Sequence, residues 1–366
     1  MSTLTRLPGL ADVHVHLRVP GGEHKEDVRS GTAAALAGGF TSILAMPNTS
    51  PPIVSLEDLR AVTERIRAEA LCDVHAFVGA SAAHVPTEGP HAGESAWLAL
   101  GREAVGLKIY MDQTYGPLRV NDLLSLMAYF RHWPPTKPIA LHAEGTSVAI
   151  GLGLAAAFER SIHICHVSRK AEIALIAAAK RRGVAVTCEV TPHHLFLSEA
   201  DVERLGPLGD MRPTLAPQAD VEALWAHLDT VVDCIATDHA PHTLEEKQRA
   251  SGGPPGVPGL ETALPLMLTA VAEGRLSLER LVDLMANNPR RIYGLPQQPD
   301  TWVEVEIGPT VTIENEGLHT KCGWSPFAGM RVRGRVRRVQ FRGVPAIVDG
   351  AMVLPRSVVP GDRPRD

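Results

Sequence analysis

Asp12-Val-His-Val-His-Leu-Arg18 decides how the rest of the chain is read. Leu10, Ala11, Val13, Val15 and Leu17 make the stretch a strand, and a period of two turns His14 and His16 to one face of it. Neutral imidazole is the commonest metal ligand, so two on one face can grip one ion. Two such histidines also suit a polar strand or a satisfied core pair; the remaining strand ends decide between these readings.

Outward from that stretch, short runs rich in Val, Ile and Ala alternate with helical patterns. Strands are expected near 11–17, 41–47, 72–80, 105–111, 139–144, 161–167, 184–191 and 234–239, and helices near 27–38, 56–70, 120–131, 145–158, 168–182 and 219–229. Runs apolar on both faces suit a parallel sheet covered by helices. Eight such units predict an α/β fold: a (β/α)8 TIM-type barrel over 10–295, with a small β appendage formed mainly by C-terminal strands near 301–354 (segments 1–9 and 296–366).

In such barrels chemistry gathers at the carboxyl ends of the strands, and the polar residues sit there. His14, His16 and Arg18 close the first strand, Asn48 follows Ala45-Met-Pro, and Lys108 lies in Gly106-Leu-Lys-Ile-Tyr110. His142 and Glu144 end the fifth strand, His163, Cys165 and His166 the sixth, Glu189 with His193-His194 the seventh, and Asp238-His239 the eighth. Singly each has a plain reading: Lys108 snorkelling or paired with a carboxylate, His163 facing outward, His193 or His194 capping the next helix. Six potential ligands on separate strand ends predict a dinuclear metal site. An ammonium buried among cations costs several kcal/mol, whereas a neutral lysine amine adds carbon dioxide. A carbamate on Lys108 would give one oxygen to each metal.

Composition narrows the class. The chain has 366 residues, 45% of them hydrophobic, with a net charge of -5, a pI near 6.3 and a mean hydropathy of zero; this suits a soluble globular protein and argues against a nucleic-acid surface. The basic stripe Arg331-Val-Arg-Gly-Arg-Val-Arg-Arg338 alternates like the wet face of a strand. No apolar run reaches membrane-spanning length, and the N-terminus lacks a signal-peptide core. Five widely spaced cysteines, Cys72, Cys165, Cys188, Cys234 and Cys322, fit a reducing compartment, with cytoplasm the default.

Asp-Val-His-Val-His-Leu-Arg, Ala-Met-Pro-Asn-Thr, Gly-Leu-Lys-Ile-Tyr, His-Ala-Glu, His-Ile-Cys-His-Val, Cys-Glu-Val-Thr-Pro-His-His-Leu and Thr-Asp-His-Ala-Pro-His together resemble the dihydroorotases of the amidohydrolase superfamily. The likeness is strongest to the dihydroorotase domains of animal multifunctional pyrimidine-synthesis proteins, whose other parts are carbamoyl-phosphate synthetase and aspartate transcarbamoylase. The resemblance covers nearly the whole chain.

It implies reversible zinc-dependent cyclisation of N-carbamoyl-L-aspartate to L-dihydroorotate. His14, His16, the carbamylated Lys108 and Asp238 would hold one zinc, and Lys108, His142 and His166 the other. Asp238 would shuttle the proton of the bridging water. Cys165 and Glu189 match positions that hold a third zinc beside His142, or else they are a small buried thiol and a carboxylate behind the ligands. Arg18, Asn48 and His242 match the residues that grip the substrate carboxylate, and Arg212 a ring-contacting position. Met111-Asp-Gln-Thr-Tyr-Gly116 corresponds to a mobile loop with Thr114 and Tyr115 at its tip, where the family typically carries Phe in place of Tyr115.

Val19 stands where the family usually has Glu, and Cys322 is likewise atypical. The resemblance further implies a homodimer. The short segment before the first histidine strand and the Pro- and charge-rich tail Pro355–Asp366 suggest a piece of a larger polypeptide. A hydantoinase or allantoinase, or a non-catalytic assembly domain of this lineage, are the competing expectations. The carboxylate grip argues against the first and the intact ligand set against the second.

Overall fold

A computed structural model describes residues 3–86, 94–250 and 252–354. Its strands are β1 (Thr3–Pro8), β2 (Leu10–Val15), β3 (Phe40–Ala45), β4 (Asp73–Ala76), β5 (Val78–Gly79), β6 (Leu107–Tyr110), β7 (Ile139–His142), β8 (Ile162–Ile164), β9 (Val186–Val190), β10 (Cys234–Ile235), β11 (Trp302–Thr312), β12 (Arg331–Phe341), β13 (Val344–Val348) and β14 (Ala351–Met352). Every residue of β2, β3, β6 and β7 is buried, as strands covered on both faces must be.

The ring is built from parallel pairs. β2 pairs with β3 and β3 with β4; β5 pairs with β6, and the ladder continues through β7, β8 and β9 to β10. Phe77 interrupts the third barrel strand between β4 and β5, yet its N–H still reaches Ala45 O at 3.0 Å, and Val78 N reaches Gly106 O at 3.2 Å. Among the described residues a single bridge, Val15 to His239, closes the barrel, with His16 N donating to His239 O at 2.8 Å.

All six expected helices form, as Val28–Ala37, Leu56–Glu69, Leu123–His132, Thr146–Phe158, Lys170–Arg181 and Gln218–His227. Asp27, Ser55 and Asp122 cap the first three through their side chains. Glu94–Glu103 and Leu260–Ala272, which periodicity did not single out, supply the other two covers. Several strands end earlier than expected, the sixth and eighth by the most. The sixth stops at Ile164 and the eighth at Ile235, because His166 (φ 34°) and Asp238 (φ 45°) take left-handed backbone that no ladder accommodates. Among the described residues no helix is long and apolar enough to cross a membrane.

The appendage is an antiparallel sheet ordered β1-β11-β12-β13-β14, in which the N-terminal strand serves as one edge. Along β12, Val332, Gly334 and Val339 are buried while Arg331, Arg333, Arg335 and Arg338 face outward. Arg335 and Arg337 share Glu306 and Arg337 also meets Asp349, so the basic stripe is a wet strand face that is paired in part. Between β11 and β12 the chain runs as a strap across the barrel mouth: Trp324 Nε1 donates to His242 O at 2.7 Å, and Thr320 Oγ1 to the Glu26 carboxylate. The tail expected to begin a linker, Pro355–Asp366, lies outside the described residues.

Candidate active site

His14 and His16, two residues apart at the end of β2, both turn into the barrel mouth, and each is anchored through its Nδ1. His14 Nδ1 lies 2.5 Å from Glu189 Oε1, and His16 Nδ1 lies 2.8 Å from Asn48 Oδ1. Since a carboxylate and an amide oxygen only accept, both protons belong on Nδ1 and both Nε2 atoms are bare. Those bare nitrogens converge on one oxygen, Asp238 Oδ1, at 3.3 Å from His14 and 3.1 Å from His16. Three lone-pair atoms within 4.8 Å of one another, with no proton between them, repel unless a cation stands among them. Burial, with Lys108 next for His14 and Arg18 next for His16, pushes both histidines below their ordinary pKa, so the ring protons are not supplied that way.

A second pair stands opposite. His142 Nδ1 is 2.8 Å from His166 Nε2, while the buried His142 Nε2 and His166 Nδ1 make no hydrogen bond, the former lying 3.5 Å from Glu144 Oε1. Buried nitrogens of this kind are costly unless a ligand takes their lone pairs. Between the two groups lies Lys108, fully buried, with Nζ 2.9 Å from Cys165 Sγ and 3.5 Å from His14 Nε2. Among the described residues no carboxylate oxygen comes within ion-pair distance of that nitrogen. The donor set therefore fits metal ions.

Behind the ligands, Glu189 spends both oxygens: Oε1 on His14 and on the His166 N–H (3.1 Å), Oε2 on His163 Nε2 (3.0 Å). Burial raises its pKa, but the contacts with His14 and His163 outweigh that and hold it low. Cys165, raised by burial to about 12, completes a further cluster with His14 and Glu189. His163 is fully buried rather than outward, bonded on its other side to Thr187 Oγ1 at 2.8 Å. Thr191, not His193 or His194, caps the helix Pro192–Phe196. Asp12, unread in the sequence, accepts from Thr237 Oγ1 at 2.6 Å and from the His14 N–H at 3.1 Å, which ties the first strand to the eighth.

Next to this centre is a cavity of about 510 Å³ lined by Arg18, Lys25, Asn48, Tyr115 and Glu246 among others. Arg18 (φ 61°) sends Nε to Pro241 O at 3.1 Å and one terminal nitrogen to within 3.0 Å of His242 Nε2. Tyr115 folds over them: its carbonyl accepts from Asn48 Nδ2 at 3.0 Å, and its ring meets His242 edge-on at 5.2 Å. Thr114, beside it, is half-buried. Arg212 is turned elsewhere, to the Asp210 carboxylate and the Met211 carbonyl. Lys25 escaped the sequence reading because a lysine in Gly21-Gly22-Glu23-His24-Lys25 looks solvated; the loop buries it.

A family profile described as "Amidohydrolase family" matches residues 5–298. The chain is 50% identical to the multifunctional protein CAD of Squalus acanthias over 353 residues, 96% of this chain but 15% of that protein's length. It is 34% identical to the dihydroorotase of Pyrococcus furiosus over 348 residues, 92% of this chain and 80% of that one. Among solved structures, the inactive dihydroorotase-like domain of the Chaetomium thermophilum CAD-like multifunctional protein superposes with a TM-score of 0.79 at 29% identity, covering 96% of this chain and 97% of that one.

Proposed function

The chain belongs to the amidohydrolase family, and on that premise we propose that it is a dihydroorotase, interconverting N-carbamoyl-L-aspartate and L-dihydroorotate in pyrimidine synthesis. One observation carries the reading: Asn48 joins the two halves of the site, its Oδ1 on the ligand-like His16 and its Nδ2 on the carbonyl of Tyr115 above Arg18. A hydrolytic centre and a carboxylate receptor thereby face one small molecule.

In this reading His14, His16, Asp238 and a carbamate on Lys108 would hold one zinc, and that carbamate, His142 and His166 a second; a third would draw on Cys165 and Glu189. Bound zinc would supply a polarised amide carbonyl and a water whose pKa falls from 15.7 to about 7. Asp238, whose pKa burial raises, would handle the proton, accepting it from the attacking water and returning it to the ring nitrogen that leaves. Arg18 and His242 bind the carboxylate through N–H groups, for which a guanidinium fork is the suited shape. The segment Met111–Gly116, with Thr114 and Tyr115, excludes water over the bound ring. Arg212 would reach the ring only after leaving Asp210.

Wider context follows the same premise. We place the chain in a larger pyrimidine-synthesis polypeptide of the cytoplasm, beside carbamoyl-phosphate synthetase and aspartate transcarbamoylase. The helix Thr146–Phe158 supports a homodimer, because its outward residues Ala149, Ile150, Gly153, Ala156 and Ala157 carry no charge.

Dihydroorotate hydrolysis by the purified chain tests the proposal, measured before and after chelation with zinc counted on the same sample and Lys108→Ala as control. Two or more zincs per chain, with activity lost on chelation and in the variant, is the expected result. Hydantoin turnover without dihydroorotate turnover would overturn the substrate, and a chain without zinc would overturn the enzyme.

A further inference from the structure

Lys25 is 5% exposed, and its ammonium has three N–H donors and three partners: Tyr115 Oη at 3.1 Å, His242 Nδ1 at 3.2 Å and Glu246 Oε1 at 3.3 Å. An ammonium only donates, so His242 Nδ1 must be the accepting nitrogen and its proton sits on Nε2. That N–H points to Pro255 O at 3.1 Å and also meets the Arg18 guanidinium nitrogen at 3.0 Å. At that separation the two donors are in direct contact, an unfavourable pairing that an anion accepting from both would relieve. His242 itself stays neutral between its neighbours: burial first, then Arg18 and Lys25, push it far below the ordinary histidine range.

The same ammonium holds the aromatic above these two donors. Tyr115 lies with its ring 4.8 Å from Lys25 Nζ and 5.5 Å from the Arg18 guanidinium carbon. Its hydroxyl accepts the Lys25 proton, and a Phe at 115 would offer no such acceptor.

We propose that Lys25 is a positioning residue of the carboxylate grip, fixing His242 with its proton on Nε2, the nitrogen beside the Arg18 guanidinium, and latching the 111–116 segment shut through the Tyr115 hydroxyl. The proposal rests on the dihydroorotase reading for its substrate, though not for the latch. Lys25 touches no reacting atom; it acts through His242 and Tyr115.

The zinc-loaded full chain, Lys25→Gln, Tyr115→Phe and the double variant are compared in two ways: steady-state kinetics with dihydroorotate, and amide hydrogen exchange of residues 111–117 without substrate. Losing one charge-assisted hydrogen-bond set predicts KM raised about tenfold in Lys25→Gln and about threefold in Tyr115→Phe, with kcat within about twofold. The double variant should be no worse than Lys25→Gln, and both single variants should speed exchange in the loop. Additive KM effects, or a loss confined to kcat, would overturn the proposal. Tyr115→Phe keeps the ring and spares the core, so it decides the latch even if Lys25→Gln does not fold: unchanged exchange there overturns it. A wild-type chain that ignores dihydroorotate while its loop exchange still depends on Tyr115 and Lys25 would overturn the substrate reading and uphold the latch.

Discussion

The centre depends on which atoms lack protons. With His14 and His16 protonated on Nδ1 by their anchors, Asp238 is, among the described residues, the one carboxylate that meets both bare Nε2 atoms. Asp238→Asn should therefore lower kcat by about 10²- to 10⁴-fold while KM moves little, as expected when a proton carrier is lost; steady-state kinetics checks this. Glu189 acts at one remove, and Glu189→Gln should weaken zinc binding by about 10- to 100-fold in a competition titration against a chromophoric chelator. Unchanged affinity would show that the His14 and His163 contacts orient nothing. The histidines, Lys108 and Asp238 were legible because strand ends and a period of two place side chains without knowledge of the whole fold. Lys25, Asp12 and His163 were not, since their roles arise from residues more than 20 positions distant that fold over or beside them.

Elements were legible where one pattern governed them. All eight barrel strands and six helices could be placed from apolar runs, whereas Leu260–Ala272 was missed. It carries Pro265 inside, a residue that reads as a breaker, and its apolar surface runs almost all round because it is wedged between barrel and appended sheet. That wedge is tight at Gly334 of β12, where a Cβ would stand 2.4 Å from Leu268 Cβ. Gly334→Ala should cost about 1–3 kcal/mol, measured by urea unfolding of the metal-free chain, because a backbone-anchored neighbour cannot swing away. No loss would mean that strand and helix separate readily. The early ends of β8 and β10 were hidden for another reason: apolar residues continue past them, and only backbone at His166 and Asp238 reveals that the ladder has stopped.

Across the whole molecule, the strap between β11 and β12 binds the appended sheet to the barrel mouth. Glu261 accepts the N–H groups of His319 and Thr320 there, and burial raises its pKa from 4.5 to about 7. Between those two values the folded chain keeps a proton that the unfolded chain has released, so stability falls as pH rises through that window, by at most about 3 kcal/mol. Thermal melts of wild type and Glu261→Gln between pH 4 and 8 should converge at the acid end and diverge above it, with the variant the more stable; a gap independent of pH would refute this. The strap was unreadable in sequence because it lacks any period, and only its partners give it shape. The barrel's single closing bridge, Val15 to His239, has a consequence for biogenesis. During synthesis His14 and His16 leave the ribosome more than 200 residues ahead of their shared carboxylate. Until Asp238 is synthesised the nascent protein holds two histidines without their third partner, so capture of the ion those three share follows ring closure.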